Sequence, residues 1–408
     1  MEEWKEYKLA EVCENIYSGG TPSSMNASYW NGNLPWLSSG ETSQRYIYYT
    51  EKCITKEGAD NSSTRYAFKG STVIASAGQG HTRGQASMLC IDTYVNQSVL
   101  VIKPNPLIIN PYFLYFNIDS RYNELRQLSD GTSTRGSLSG KILKDLKIYL
   151  PPLNEQQKIA SILKSLDDKI EVNRKINENL EQQAQALFKS WFVDFEPFKN
   201  GEFIESELGM IPKGWRVVEL QDVLTIKRGG SPRPIQDYLS TSGYRWLKIS
   251  DATACQSPYI YEIKEFIKES GLCKTIKLSR GSLVLSNSAT PGIPKILGVD
   301  SCIHDGWLYF PQSQLSKYYL YMLFKEKRDF LLSQGNGSVF TNLKTDIVKA
   351  MKIAIPNEKI MSKFNTVLES LFILIEDKTI ESRRLAELRD TLLPKLMSGE
   401  LKVCDIVL

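Results

Sequence analysis

The feature that most constrains the fold of this 408-residue chain is an internal repeat with a period of about half its length. Five segments recur in the same order, at offsets of 205 to 211 residues. The matched segments are residues 4–9 with 215–220, 17–22 with 227–232, 34–37 with 244–247, 69–74 with 280–285, and 147–151 with 352–356. Several matches in one order, with a drift of only a few residues, indicate two copies of one structural unit that differ by loop insertions.

Each copy begins with a segment whose pattern is typical of a mixed α+β globule. Short β-branched runs, such as residues 71–75, are separated by turns rich in glycine, serine and proline. A helical pattern follows at 112–128 in the first copy and at 317–332 in the second. We therefore predict the α+β fold class, with repeated mixed α/β domains at 1–151 and 208–356.

A long helical pattern closes each copy, at 152–196 and at 357–397, before a tail to residue 408. Its seam residues recur in steps of three and four, which is typical of a coiled coil. The first seam consists of Leu163, Leu166, Ile170, Asn173, Asn177, Leu180, Ala184, Leu187 and Trp191. The second consists of Leu368, Leu371, Ile375, Lys378, Ser382, Leu385, Arg389 and Leu392.

Both seams become polar at their midpoints, and this suggests how they pair. In an antiparallel coiled coil, Asn173 would lie opposite Ser382 and Asn177 opposite Lys378, while apolar ends would meet apolar ends. Buried polar seam residues commonly fix the register at some cost in stability. We predict this antiparallel register; the alternative is that each helix is amphipathic and docks only on its own globule.

The order of globule, long helix, globule and long helix resembles the specificity subunit of type I restriction–modification systems. Besides the repeat, the resemblance is carried by local segments at the turns and helix boundaries. These segments are 18–22, 131–138, 150–159, 355–359 and 396–401.

The resemblance implies a subunit that selects a DNA sequence without catalysing a reaction. Each globule is then a target recognition domain that reads one half of a bipartite double-stranded target. The helix pair sets the gap and docks two modification subunits, which hold S-adenosylmethionine and methylate adenine at N6. Restriction subunits, with ATP and magnesium, join for cleavage, so this chain is expected to hold no cofactor and no metal.

Candidate DNA contacts follow from the chemistry of base and phosphate recognition. Arg and Lys suit guanine, Asn and Gln suit adenine, and hydroxyls or Lys suit phosphates. In the first globule the candidates are Ser18, Thr21, Gln79, His81, Arg83, Thr132, Thr134 and Arg135. In the second they are Lys227, Arg228, Arg233, Asn287, Ser288, Asn336 and Asn342. We expect these side chains to project from loops; the alternative is that they only cap turns.

The charge distribution agrees with a DNA-binding role for the second globule. Residues 208–356 carry 20 Lys and Arg against 12 Asp and Glu, whereas residues 152–207 carry 7 against 11. A block of net charge +8 suits a phosphate-binding surface, because phosphate contacts release counterions. An ordinary basic domain is the alternative interpretation of the charge alone.

Other chemistries have little support in the sequence. The seven scattered cysteines and two histidines do not form a zinc-ligand or disulfide pattern, and no nucleotide-binding P-loop occurs. Asn110 and Pro111 are typical of a helix cap, and Asp167 and Asp168 are expected on a solvated helix face. No export signal or membrane-spanning run is apparent, so we expect a cytoplasmic protein.

Two further functions remain open on the residues alone. One is a coiled-coil assembly adaptor without DNA specificity, and the other is a self-contained DNA methyltransferase. Binding of S-adenosylmethionine by the isolated chain would separate the methyltransferase from the other two.

Overall fold

The computed structural model describes residues 4–78, 81–130, 136–333 and 343–405. The chain divides into two compact units. The first comprises Met1–Ile170 with Arg384–Leu408, and the second comprises Glu171–Arg383. Each unit therefore contains one globule together with a segment of both long helices.

The globule of the first unit is built from two main sheets and short helices. Its strands β1 to β11 are Lys5–Lys8, Cys13–Ser18, Trp30–Leu37, Tyr46–Ile47, Lys52–Ile54, Arg65–Ala67, Thr72–Ala75, Ala86–Leu89, Thr93–Val95, Val99–Pro104 and Lys147–Leu150. Its helices α1 to α5 are Leu9–Val12, Lys56–Asp60, Pro111–Asp119, Tyr122–Asp130 and Gly140–Asp145. The sheets have the strand orders β2-β10-β7-β8-β4 and β5-β3-β9-β6, and β1 pairs with β11.

The second unit contains the other globule. Its strands β12 to β25 are Phe203–Ser206, Gly209–Pro212, Arg216–Glu219, Leu224–Arg228, Leu239–Ser240, Tyr244–Leu247, Tyr259–Ile260, Glu265–Ile267, Ile276–Leu278, Leu283–Ser286, Pro294–Leu297, Ser301–Ile303, Trp307–Ser313 and Lys352–Ile355. The long helix α6 spans Leu153–Phe192, helices α7 to α11 span Leu220–Val223, Ile249–Ala254, Lys317–Glu326, Arg328–Ser333 and Thr345–Lys349, and α12 spans Glu358–Met397.

The internal repeat is visible in the sheet topology. The order β15-β24-β21-β22-β18 in the second globule corresponds to β2-β10-β7-β8-β4 in the first. The last pair of each of these sheets is parallel, β4 with β8 and β18 with β22. Strand β3 also runs parallel to β9, as β17 does to β23. The fold class predicted from the repeat is confirmed.

Two helical patterns are shorter than predicted. The pattern at 112–128 is divided between α3 and α4, and the one at 317–332 is divided between α9 and α10. In the first case the Ser120 hydroxyl donates a hydrogen bond to the Asn117 carbonyl at 2.8 Å, and this bond competes with continuation of the helix. The predicted cap at the start of α3 is confirmed, since Asn110 Oδ1 accepts from the amides of Tyr112 and Phe113 at 3.0 and 3.1 Å.

A buried glutamine fastens the start of α6 to the first globule. Gln156 is 1% exposed, and its Oε1 accepts from the Asn110 amide at 2.9 Å. Its Nε2 donates to the carbonyls of Pro151 and Ile108 at 2.9 and 3.2 Å. All polar atoms of this side chain are thus satisfied, which accounts for a glutamine in the sequence segment 150–159.

In the first unit the two long helices pack against each other and against the globule. Leu163 of α6 and Leu393 and Leu396 of α12 belong to one core that also contains Phe113. Asp167 is the residue that differs from expectation, because its side chain is only 3% exposed rather than solvated. Its carboxylate accepts from Arg389 at 2.7 Å and from Tyr46 at 2.7 Å.

In the second unit the same two helices are again antiparallel. Phe364 of α12 contacts the rings of Trp191 and Phe192 of α6, with centroids 5.5 and 4.6 Å apart. Asn173 Nδ2 donates to Glu381 at 3.1 Å, one position from Ser382. Asn177 Nδ2 donates to Thr379 Oγ1 at 3.1 Å, one position from Lys378.

The seam predicted along the two helices is buried or half-buried throughout. The two helices also have a second buried face, outside this seam, which the globules cover. That face contains Phe188, Phe364, Phe372, Leu393 and Leu396, each at most 7% exposed. The long helices are therefore integral to the two cores, not separate domains beside them.

Candidate functional site

A glycine-glycine turn after β2 is locked onto the end of β9 in the first globule. The amides of Gly19 and Gly20 donate to the carbonyls of Asn96 and Val95 at 3.2 and 3.1 Å. A Cβ on Gly19 would lie 2.0 Å from the Val95 oxygen, so the approach requires glycine. Thr21 closes the turn by donating to Gln97 Oε1 at 2.5 Å.

The second globule has a similar turn after β15, in which the Gly229 amide donates to the Trp307 carbonyl at 2.9 Å. The Gly230 amide donates to the Ile303 carbonyl at 3.2 Å, and a Cβ on Gly229 would lie 2.2 Å from the His304 oxygen. Ser231 closes this turn by donating to Asp305 Oδ1 at 2.6 Å. We call the two arrangements the turn latches, formed by residues 18–21 with 95–97 and by residues 228–231 with 303–305.

The two turn latches differ in charge. Where the first has the neutral Gln97, the second has Asp305, whose carboxylate also accepts from Arg233 at 3.1 Å. Arg228 donates to the Asp305 backbone carbonyl. The hydrogen bond from Ser231, together with the charges of Arg228 and Arg233, lowers the pKa of Asp305. Asp305 therefore contacts both arginines, Arg233 through its carboxylate and Arg228 through its backbone carbonyl.

A cavity of about 900 Å³ lies beside the second turn latch. Its lining combines the aromatic rings of Trp246 and His304 with the polar side chains of Arg233, Lys248 and Ser288. Apolar walls with a few polar groups are typical of binding sites.

A smaller cleft of about 410 Å³ lies along β2 and β6 in the first globule. Arg65 lies over the ring of Tyr17 at 5.4 Å, and Lys103 lies over the ring of Phe68 at 4.2 Å. Lys103 also pairs with Glu14 of the same cleft at 2.7 Å, which offsets its charge.

Several predicted contact residues do lie at the latches. Ser18 ends β2, and Thr21 is exposed. Lys227 and Arg228 are exposed, but on strand β15 and not in a loop as expected. Arg233 has a side chain that is 78% exposed.

Other predicted contacts lie in different settings. Arg83 is 6% exposed and pairs with Asp130, and Asn287 is 3% exposed, so neither projects from a loop as expected. His81 is exposed, and Ser288 is half-buried in the cavity wall. Six candidates lie outside the described residues, namely Gln79, Thr132, Thr134, Arg135, Asn336 and Asn342.

The sequence interpretation missed four residues of the latches and Lys248 of the adjacent cavity. Asn96, Gln97, Lys248, His304 and Asp305 were not among the candidates. The signal that could have found them is the repeat itself, because Asn96 and Gln97 precede His304 and Asp305 by 208 residues in aligned copies.

Two features of other protein classes are absent from the described part of the chain. There, no helix has the length and apolarity needed to cross a membrane. The described residues also include no group of three His, Cys, Asp or Glu side chains placed to hold a metal ion. None of the seven cysteines, all of which lie among the described residues, forms a disulfide, and Cys273 and Cys404 are exposed.

Known proteins resemble this chain over nearly its whole length. The family model described as the type I restriction modification DNA specificity domain matches residues 1–182 and again 212–387. The type I restriction enzyme MjaIX specificity subunit of Methanocaldococcus jannaschii is 30% identical over 420 residues, which cover 99% of this chain and 95% of that protein. The HindI specificity subunit of Haemophilus influenzae is 24% identical over 476 residues, covering 98% and 100%.

One solved structure shares the fold. The crystal structure of the type I restriction–modification S subunit from M. genitalium superimposes with a TM-score of 0.59 at 15% identity, over 96% of each chain. The two family-model matches correspond to the two copies of the repeat. They favour the predicted specificity subunit, a non-catalytic component, over an adaptor or a self-contained methyltransferase. The chain belongs to the family of DNA specificity subunits of type I restriction–modification enzymes.

Proposed function

We propose that each globule reads one half of a bipartite double-stranded DNA target through the surface around its turn latch. The observation that carries this proposal is the repetition of the latch with different side chains. The second glycine makes the same backbone bond in both turns, from Gly20 to Val95 and from Gly230 to Ile303, while the closing pairs are Thr21 with Gln97 and Ser231 with Asp305. A constant scaffold with variable polar side chains suits two readers of unlike sequences.

The charges around the second latch support binding to phosphates. Lys227, Arg228 and Arg233 are all exposed there, in the block of net charge +8. Because Asp305 holds the two arginines, their charged groups are ordered before DNA arrives. We expect the affinity of this globule for DNA to fall steeply with salt.

We propose that the helix pair sets the gap between the half-sites. A helix of 40 residues is about 60 Å long, more than the ~34–36 Å of one DNA turn. Joining two readers by stiff helices raises the effective concentration of the second reader over its own half-site.

The same helices are proposed to dock two modification subunits. Apolar side chains that remain 37–49% exposed on α6 and α12 support this role. They are Val172, Ile176, Val367, Ile373, Leu374 and Leu388. Exposed apolar residues on a helical surface are typical of protein interfaces. Ile373→Asp should weaken the binding of modification subunits in a pull-down assay, while Glu369→Asp, on an exposed part of the same helix, should not.

The cofactors are proposed to belong to the partners. Modification subunits would hold S-adenosylmethionine and methylate adenine, and restriction subunits would use ATP and magnesium. The support is that this chain has neither a P-loop nor a methyltransferase cofactor loop in its sequence. Its own contribution is the choice of sequence.

The proposal is tested by mapping methylated adenines in the complex reconstituted with its modification subunits. The double variant Arg228→Ala/Arg233→Ala should lose or relax the second half-site and keep the first. Lys213→Ala is the matched control, because Lys213 is an exposed cation of the same unit that pairs with Glu202. Unchanged methylation sites in the double variant, or equal loss of both half-sites, would contradict the assignment.

A further inference from the structure

The imidazole of His304 has one nitrogen committed to the protein backbone. Nδ1 accepts a hydrogen bond from the Gly306 amide at 2.8 Å, so Nδ1 carries no proton. The proton of the neutral ring is then on Nε2. Among the described residues Nε2 has no hydrogen-bond partner and is not enclosed, so it presents a single N–H to solvent.

The protein also fixes the position and the charge state of this ring. The ring is 18% exposed, lines the cavity of about 900 Å³, and contacts the rings of Trp246 and Trp307 with centroid separations of 5.9 and 6.4 Å. Burial lowers the pKa of His304 despite the carboxylate of Asp305 at 3.8 Å, and the charges of Lys248 and Arg228 also lower it. The ring is therefore neutral at pH 7 and keeps one donor in one direction.

Asn96 occupies the corresponding position in the first globule. Its Oδ1 accepts from the Ser98 amide at 3.0 Å, as Nδ1 of His304 accepts from Gly306 two residues further on. Asn96 is 8% exposed, and its remaining polar group is the Nδ2 amino group, which has no partner among the described residues and is not fully enclosed. In both copies one atom of the side chain accepts a hydrogen bond from the backbone. The remaining donor differs, and is Nδ2 of Asn96 in the first globule and Nε2 of His304 in the second.

We infer that Asn96 and His304 are equivalent specificity-determining residues, each of which donates a hydrogen bond to a base edge of its own half-site. This inference rests on the proposed function. A donor in the major groove is satisfied by purine N7, guanine O6 or thymine O4, whereas cytosine presents its own N4 amino group. The base pair under His304 is therefore read by exclusion of cytosine on the contacted strand.

Two substitutions separate the donor from its structural role. Asn96→Asp keeps the acceptor for the Ser98 amide and removes the donor. Asn105→Asp is its matched control, because Asn105 Oδ1 accepts from the Leu107 amide at 3.1 Å in the same i to i+2 geometry and the same globule. His304→Asn keeps both an acceptor for Gly306 and a donor, but the shorter side chain moves the donor.

The experiment is selection of bound duplexes from a randomised library by the complex with its modification subunits. We expect Asn96→Asp to lose discrimination at one base pair of the first half-site by about 5- to 150-fold, the usual range for one specific contact. His304→Asn should change one base pair of the second half-site only, and Asn105→Asp should change nothing. If His304→Asn melts at a lower temperature, the substitution also affects the fold. The inference is then tested by comparing the sequences selected by Asn96→Asp and Asn105→Asp.

Two results would overturn the inference in distinguishable ways. If both variants select the wild-type sequence at every position, the specificity role is wrong while the proposed function stands. If the wild-type complex selects no bipartite sequence, the proposed function fails and the inference fails with it.

Discussion

The buried carboxylate of Asp167 gives the sharpest test of how the first unit holds its helices. The Oδ1 atom accepts from Arg389 on α12 at 2.7 Å. The Oδ2 atom accepts from the Tyr46 hydroxyl at 2.7 Å and from Arg45 at 3.3 Å. One side chain of α6 therefore joins both long helices to strand β4 of the globule.

The magnitude follows from the burial of the partners. Asp167 and Arg389 have side chains that are 3% and 11% exposed, and removing one member of a buried ion pair costs about 3–5 kcal/mol. Arg389 keeps Asp390 and Arg45 keeps Asp119, so the arginines are not left without a carboxylate. We expect Asp167→Ala to destabilise the first unit by about 3 kcal/mol, the lower end of that range.

The neighbouring residue supplies a matched control. Asp168 pairs with Lys164 one helical turn away, and their side chains are 52% and 31% exposed. Exposed pairs of this kind contribute about 0.3–0.5 kcal/mol, so Asp168→Ala should have almost no effect.

Hydrogen exchange followed by mass spectrometry measures the two units separately, which suits a chain whose unfolding need not be a single transition. A loss of 3 kcal/mol corresponds to exchange about 150-fold faster in the protected peptides of the first unit. Peptides of the second unit serve as an internal reference. Equal exchange rates in Asp167→Ala and Asp168→Ala would refute the reasoning, since the pair would then contribute no more than an exposed one.

Three further outcomes are expected. Gly19→Ala should destabilise the first unit by about 1–3 kcal/mol in urea denaturation, because its Cβ would lie 2.0 Å from a carbonyl oxygen. Gly140→Ala should have a smaller effect, because its Cβ would meet only an ordinary contact at 3.9 Å. Phe372→Ala should destabilise the second unit by about 3–5 kcal/mol in the same assay, and Ile373→Ala, at a 47% exposed position, by much less. The lowered pKa of His304 should make the second unit less stable in thermal melts as the pH falls below about 6.5. His304→Asn should reduce this dependence of the melting temperature on pH. The same pH dependence in the wild type and in His304→Asn would contradict the prediction.

The sequence was sufficient for the features that depend on periodicity and repetition. The repeat predicted two like globules, the steps of three and four predicted the long helices, and the polar midpoints of the seams predicted their antiparallel pairing. The cap at Asn110 followed from local chemistry alone. These features depend on residues close in sequence or on a pattern sustained over many turns, and so they can be predicted without knowledge of tertiary contacts.

The misjudged residues are those whose environment is set by distant parts of the chain. Asp167 looks like a solvated helical acid until Arg389, 222 residues away, covers it. Arg83 looks like a projecting loop cation until Asp130 pairs with it in the globule. His304 looks like a lone histidine until the repeat aligns it with Asn96. Long-range pairing, which no local pattern records, decides the first two cases, whereas the third follows from the repeat.

The two copies share their latches but not the charges that fasten the helices, and this asymmetry has a physical consequence. The repeat offset of 205 residues sets Phe372 at the position of Asp167 and Arg389 at that of Ala184. Phe372 packs among tyrosine rings, with centroids 4.8 Å from Tyr318 and 5.3 Å from Tyr321. A helix segment docked on the wrong globule would bury the carboxylate of Asp167 in that apolar setting without its arginine, at a cost of several kcal/mol. Each globule is thus selective for its own helix segments, although both globules are copies of the same repeat.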